Sequence, residues 1–93
     1  MKYFDWDEAK NRKLRDEREI CFEDVVVAVD EGRILDVLYH PNSSRYQYQL
    51  VLVVEINRYV YLVPLVEDDE KVFFKTIFPS RKMTKKYLIK KEK

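Results

Sequence analysis

One glycine, one cysteine and one histidine are all that this 93-residue sequence holds of three residue types on which much protein chemistry depends. A lone Cys21 cannot close an internal disulfide and excludes paired-cysteine metal or redox sites, which points to the reducing cytoplasm. A lone His40 gives no histidine pair for zinc. A single Gly32 leaves no glycine-rich loop to cradle phosphates. No apolar run approaches the roughly 18 residues of a membrane span, and Leu50 to Val54 is only of strand length. The opening Met1-Lys2-Tyr3-Phe4-Asp5-Trp6-Asp7 lacks the apolar stretch of a secretory signal. The expectation is a cytoplasmic protein that uses no metal, no cofactor and no membrane.

Apolar side chains are plentiful, at 46% with 14% aromatic, enough for one compact core in a single domain over residues 1–93. Charge is plentiful too, and unevenly placed. The formal +1 of the chain divides into −6 over residues 1–74 and +7 over residues 75–93. A basic ending on an acidic body implies one surface that faces an anion.

Local patterns suggest an order of elements. Asp5, with Glu8 three residues on, suits the cap of a mostly charged first helix running to about Arg18. Phe22, Val25, Val26 and Val29 have helical spacing, and Gly32 stands where a helix C-cap belongs. From Ile34 the period becomes two. Strands are predicted over Ile34 to Tyr39, Tyr46 to Ile56, Tyr59 to Val66 and Lys71 to Phe78, with Asn57-Arg58 as a two-residue turn. Pro64 predicts an edge position or a bulge, because it has no N–H for a ladder. Ser80 caps a last helix, Arg81 to Lys90. The short connections predict an α+β domain with two N-terminal helices, a four-stranded antiparallel meander and a C-terminal helix, the helices on one face.

Cys21 at a helix start reads as a small apolar residue, and His40 beside Pro41 as a loop residue. The constellation left for chemistry is basic and aromatic. Lys75 lies on the fourth strand, Arg81, Lys82, Lys85, Lys86 and Tyr87 lie on the last helix, and Arg45, Tyr46 and Tyr48 open the second strand. RNA cleavage needs neither metal nor protein nucleophile, because the ribose 2′-OH can attack the adjacent phosphorus. The protein must orient that attack, offset the developing charge with cations and move protons.

Longer motifs add to this. Phe4-Asp5-Trp6-Asp7-Glu8-Ala9-Lys10-Asn11 resembles the W-D-x-x-K-N opening of BrnT-type toxins of bacterial type II toxin–antitoxin pairs. Phe22-Glu23 falls where that family has F-E. Pro79-Ser80-Arg81-Lys82-Met83-Thr84-Lys85-Lys86-Tyr87 resembles its closing S-A-R-K-A-T segment and basic helix. Arg18-Glu19 departs from the family's H-G. His40-Pro41-Asn42-Ser43-Ser44-Arg45 lacks the acid that the family carries there, leaving Glu55 and Glu67 as candidates for that group.

The resemblance implies a RelE-like fold and an endoribonuclease toxin. Its partners would be RNA and a cognate antitoxin, a small DNA-binding protein encoded by the adjacent gene. In this reading Arg81 stabilises the scissile phosphate, with Lys75 and Lys85 assisting and Tyr87 positioning RNA or moving a proton. Arg45, Tyr46, Lys82, Lys86 and His40 bind RNA. Trp6, Asp7, Lys10 and Asn11 read as structural. Two alternatives stand beside it: a toxin of the same fold acting on a protein target such as gyrase, and a non-catalytic basic binding module.

Overall fold

A computed structural model describes residues 2–39 and 48–89. Helix α1 (Glu8–Arg18) is capped by Asp7, whose Oδ1 accepts from the N–H of Ala9 at 2.8 Å and of Lys10 at 3.4 Å. Glu8 in its first turn and Arg15 and Arg18 in its last complement the helix dipole. Asp7, not Asp5, is therefore the cap. Asp5 belongs to a short strand, β1 (Tyr3–Asp5), and is bonded to the Trp6 N–H and to Lys71.

Helix α2 (Phe22–Asp30) begins where the Asp24 carboxylate accepts from the Cys21 N–H at 3.1 Å. It ends as expected at Gly32, which takes φ +75°. There Gly32 N–H donates to Val29 and Arg33 N–H to Ala28, a paired closure that a left-handed residue allows. Strand β2 (Ile34–Tyr39) follows, then β3 (Tyr48–Ile56) and β4 (Tyr59–Glu67), joined by Asn57 and Arg58 with φ of 54° and 64°. Two left-handed residues make the turn that matches strand twist, here without glycine.

The domain is α+β, but the expected four-stranded antiparallel meander is not its sheet. After β4 come β5 (Lys71–Phe74) and β6 (Phe78–Pro79), two strands where one was expected. Ile77 between them is wholly buried, so the chain leaves the ladder after Phe74 to enter the core. Among the described residues the sheet has six strands in the order β1-β5-β4-β3-β2, with β6 also beside β4. It is mixed, because β1 runs parallel to β5, Phe4 facing Val72.

Helices cover both faces. Leu52, Val54, Val63 and Leu65 pack with α1 and α2 in one core, where Phe22 and Phe74 stack at 5.9 Å and Trp6 lies over both. Val53 and Val60 are also fully buried but point to the opposite face, since side chains alternate along a strand. That second face is covered by the C-terminal helix, α3 (Arg81–Thr84), which continues as a π-helical turn (Lys85–Ile89). The expectation of all helices on one face thus fails because β3 and β4 are apolar on both sides.

Pro64 sits in central β4, paired with Val51 of β3. Its carbonyl accepts from Lys75 N–H at 2.8 Å, so its nitrogen also points away from β3. That side of β4 meets β5 at Leu65–Glu67 and β6 at Tyr61–Leu62, and Pro64 occupies the gap between them. No ladder donor is lost, and neither an edge position nor a bulge is needed.

Candidate functional site

One residue of the sheet fixes the C-terminal segment. The N–H of Val60 donates to Thr84 Oγ1 at 2.9 Å, and its carbonyl accepts from Ser80 N–H at 3.0 Å. Thr84 Oγ1 donates in turn to the Ser80 carbonyl, and Ser80 Oγ accepts from Met83 N–H, the cap expected of it. Thr84 is buried, so a side chain here takes the place of a neighbouring strand.

This anchoring presents Arg81 and Lys82, both exposed, in the first turn of α3. Lys85 N–H reaches the carbonyls of Arg81 and Lys82, so Lys85 stands one turn beyond Arg81. Lys75 is exposed after β5, its backbone held on Pro64. Val60 and Pro64 are four residues apart on one strand, so the anchors of Arg81 and Lys75 are separated by about 13 Å. The two cations address different points along an extended ligand. His40, Arg45 and Tyr46 lie outside the described residues, as does Lys90, the expected helix end.

Tyr87 crosses to β2, where its hydroxyl donates to Asp36 Oδ2 at 2.8 Å. Lys86 places its ammonium 5.4 Å from the centre of the Tyr87 ring. The Tyr87 hydrogen bond, with a second from the Val37 N–H, holds the Asp36 carboxyl below the usual carboxylate range. The same bond pushes the Tyr87 phenol above its ordinary value. At neutral pH Tyr87 therefore keeps its proton and acts as a donor.

Of the two candidate carboxylates, Glu67 forms an ion pair with Lys2. Glu55 lies on the same face as Val53 and pairs across from Val60, the residue that holds the turn into α3. In register it is therefore the nearer of the two to Arg81.

Lys2, Arg15, Arg33 and Lys71 of the body each pair with a carboxylate, whereas Lys10, Arg12, Lys13 and Arg58 form no ion pair among the described residues. Lys75, Arg81, Lys82, Lys85 and Lys86 form none either, and the Lys86 ammonium helps to hold the Asp36 carboxyl low. The sequence from Lys71 to Ile89 contains no Asp or Glu at all. Such a surface attracts an anion. Comparison with known proteins gives no match to a family model, a curated protein or a solved structure.

Trp6, Asp7, Asn11, Phe22 and Glu23 meet at the joint of α1 and α2. Buried Asn11 accepts from Phe22 N–H at 2.7 Å and donates to Glu23 at 2.8 Å, which holds the Glu23 carboxyl low. Trp6 stacks on Phe22 at 5.6 Å, and Asp7 is the cap. These contacts hold the joint of the two helices together. Burial pushes the Cys21 thiol up, the opposite of an activated nucleophile. Among the described residues no group of three or more His, Cys, Asp or Glu could hold a metal, and no helix is long and apolar enough to cross a membrane.

Sequence reasoning missed Asp36 and Thr84. Asp36 left a signal, as a lone carboxylate inside the apolar run Ile34-Leu35-Asp36-Val37-Leu38. Thr84 left a fainter one, its spacing of four from Ser80 on a helix.

Proposed function

We propose that this chain is a growth-inhibiting toxin that cuts single-stranded RNA, neutralised by a small partner with an acidic segment. The observation that carries the reading is the row of exposed cations on the C-terminal helix, within a stretch from Lys71 to Ile89 that holds no Asp or Glu. The likeness of both ends of the sequence to BrnT-type toxins supports it. In the reaction the substrate's own 2′-OH attacks the adjacent phosphorus, the P–O5′ bond breaks, and the leaving 5′-oxygen takes a proton from water. Arg81, whose planar fork suits two phosphate oxygens, offsets the charge of the phosphorane with Lys85 one turn on. Lys75 holds a neighbouring phosphate. Tyr87, protonated against Asp36, positions the strand. Glu55 is the carboxylate available to take the 2′-OH proton.

Expression in a bacterial host should arrest growth, and co-expression of the adjacent small open reading frame should restore it. The purified protein should cut RNA in the presence of EDTA and leave 2′,3′-cyclic phosphate ends. Arg81→Ala should lower the rate on the order of 100-fold, with the circular dichroism spectrum unchanged. Binding without cutting would make the chain a non-catalytic basic module. Toxicity with no RNA binding would point to a protein target.

A further inference from the structure

From Glu19 to Gly32 the chain carries the carboxylates Glu19, Glu23, Asp24, Asp30 and Glu31, and no Lys or Arg. This is the reverse of the stretch from Lys71 to Ile89, which has no Asp or Glu. The carboxylates frame an apolar stripe on α2. Glu23, Val26, Val27 and Asp30 follow at i, i+3, i+4 and i+7, so they share one side of that helix. The core takes another side, through Phe22, Val25 and Ala28. Val27 stands outside the core and is 47% exposed, although valine is only a fair helix former. Val26, Val27, Val29 and Asp30 line a groove of about 220 Å³ with Phe4 of β1.

We propose that this groove takes a helix of a protein partner, whose apolar side chains lie against Val26 and Val27 and whose Lys or Arg pairs with Asp30. The proposal does not rest on the RNA reading. Charge selects the occupant. Asp30 is exposed and forms no ion pair among the described residues, whereas Glu23 is paired with Arg15 and Glu31 with Arg33. A cation of the partner therefore meets an unmatched carboxylate at the rim of an apolar floor, and opposed charge fixes the orientation of docking. Asp30 lies one turn beyond Val26 and Val27. The partner needs two apolar residues on one helix face with a Lys or Arg one turn away.

The same features oppose a second copy of this chain. Two copies facing each other through α2 would set two cation-free helices together. The C-terminal helix of a second copy has the right charge, but its exposed side chains among the described residues, Arg81, Lys82, Lys85 and Lys86, are all cations and leave Val27 without an apolar cover.

The test uses two synthetic amphipathic helices of the same apolar pattern, one of Leu and Lys and one of Leu and Glu. Each is about 18 residues long, enough to be helical. Each is titrated into the nitrogen-labelled full chain and followed by amide shifts and fluorescence anisotropy. The Leu–Lys helix should bind about tenfold or more tighter than the Leu–Glu helix. The largest shifts should fall at Phe4, Val26, Val27 and Asp30. Val27→Gln, at an exposed position outside the core, should weaken binding of the Leu–Lys helix about fivefold or more. Asp30→Lys should weaken the Leu–Lys helix and strengthen the Leu–Glu helix, an exchange that loss of folding cannot produce. Equal affinity for the two helices, no binding of either, shifts confined to other surfaces, or undiminished binding by Val27→Gln would overturn the proposal. So would a wild-type chain that is dimeric by light scattering and becomes monomeric as Val27→Gln, which would assign the groove to a second copy. None of these outcomes touches the RNA reading, which is tested on Arg81.

Discussion

The two faces of the sheet are built from opposite materials. On one, α1 and α2 close over a continuous core in which four aromatic rings stack, with Asp5 and Glu23 paired to cations and Asp7 and Asp24 bonded to backbone N–H groups. On the other, a short helix is tied down by hydrogen bonds to Val60 and by Tyr87 to Asp36, and its cations form no ion pair among the described residues. The first face holds the fold and the second offers the cationic surface. The acidic and basic halves of the sequence are therefore two layers of one domain, and substitutions on them should fail in different ways.

Phe22→Ala should have the largest effect. The ring is wholly buried and stacks on Trp6 and Phe74, so its loss should cost about 3–5 kcal/mol in urea unfolding. Trp6 is only half-buried, and Trp6→Ala should cost less than Phe22→Ala in the same experiment. A Trp6→Ala protein of unchanged stability that no longer cuts RNA would move Trp6 from the first face's role to the second's.

Asn11→Ala and Thr84→Val make a matched pair, one behind each face. Each removes the acceptor of a buried N–H, that of Phe22 in one case and of Val60 in the other. Each should cost about 1–3 kcal/mol, the penalty of an unsatisfied buried donor. Only Thr84→Val should also impair RNA binding, because only Thr84 orients the cationic helix. If both variants bind RNA equally well, the two faces are less separate than their contacts suggest.

Arg81→Ala should leave thermal stability within about 0.5 kcal/mol of wild type, as expected of an exposed side chain outside the core. A larger loss would make Arg81 part of the fold.

The smallest effect is expected of Tyr87→Phe, and it should depend on pH. The folded protein lowers the Asp36 carboxyl, so that contribution is present at neutral pH and lost as pH falls through the folded value. It raises the Tyr87 phenol, so that contribution is present below the ordinary tyrosine range and lost as pH rises through the folded value. The difference in melting temperature between wild type and Tyr87→Phe should therefore vanish at both the acid and the alkaline end. A difference that persisted in acid would show that Asp36 is not the partner that matters.

What was legible in the sequence follows the range of the forces involved. Helix α2 and its Gly32 terminus, the Asn57-Arg58 turn and the Ser80 cap are written within a few residues of where they act. The strand Tyr3–Asp5 has no such local mark, because its partner is found at residues 71–73. The division of the fourth strand depends on Ile77 finding the core, and the tolerance of Pro64 depends on a gap between two distant strands. The basic face was visible as composition. Its anchoring through Thr84 and the Asp36–Tyr87 bond required strands and helix to be brought together first.

The parallel pairing of β1 with β5 also orders events in time. During synthesis residues 3–5 emerge long before residues 71–73, and at about 5–20 residues per second the wait is on the order of 3–14 s. Until then Phe4 and Trp6 lack Phe74, against which both stack. The cationic helix is made later still, since Ser80 and Thr84 need Val60 already in place. The nascent chain thus completes its acidic layer before its basic one, and any partner that recognises the assembled basic face must wait for the last part of the fold to form.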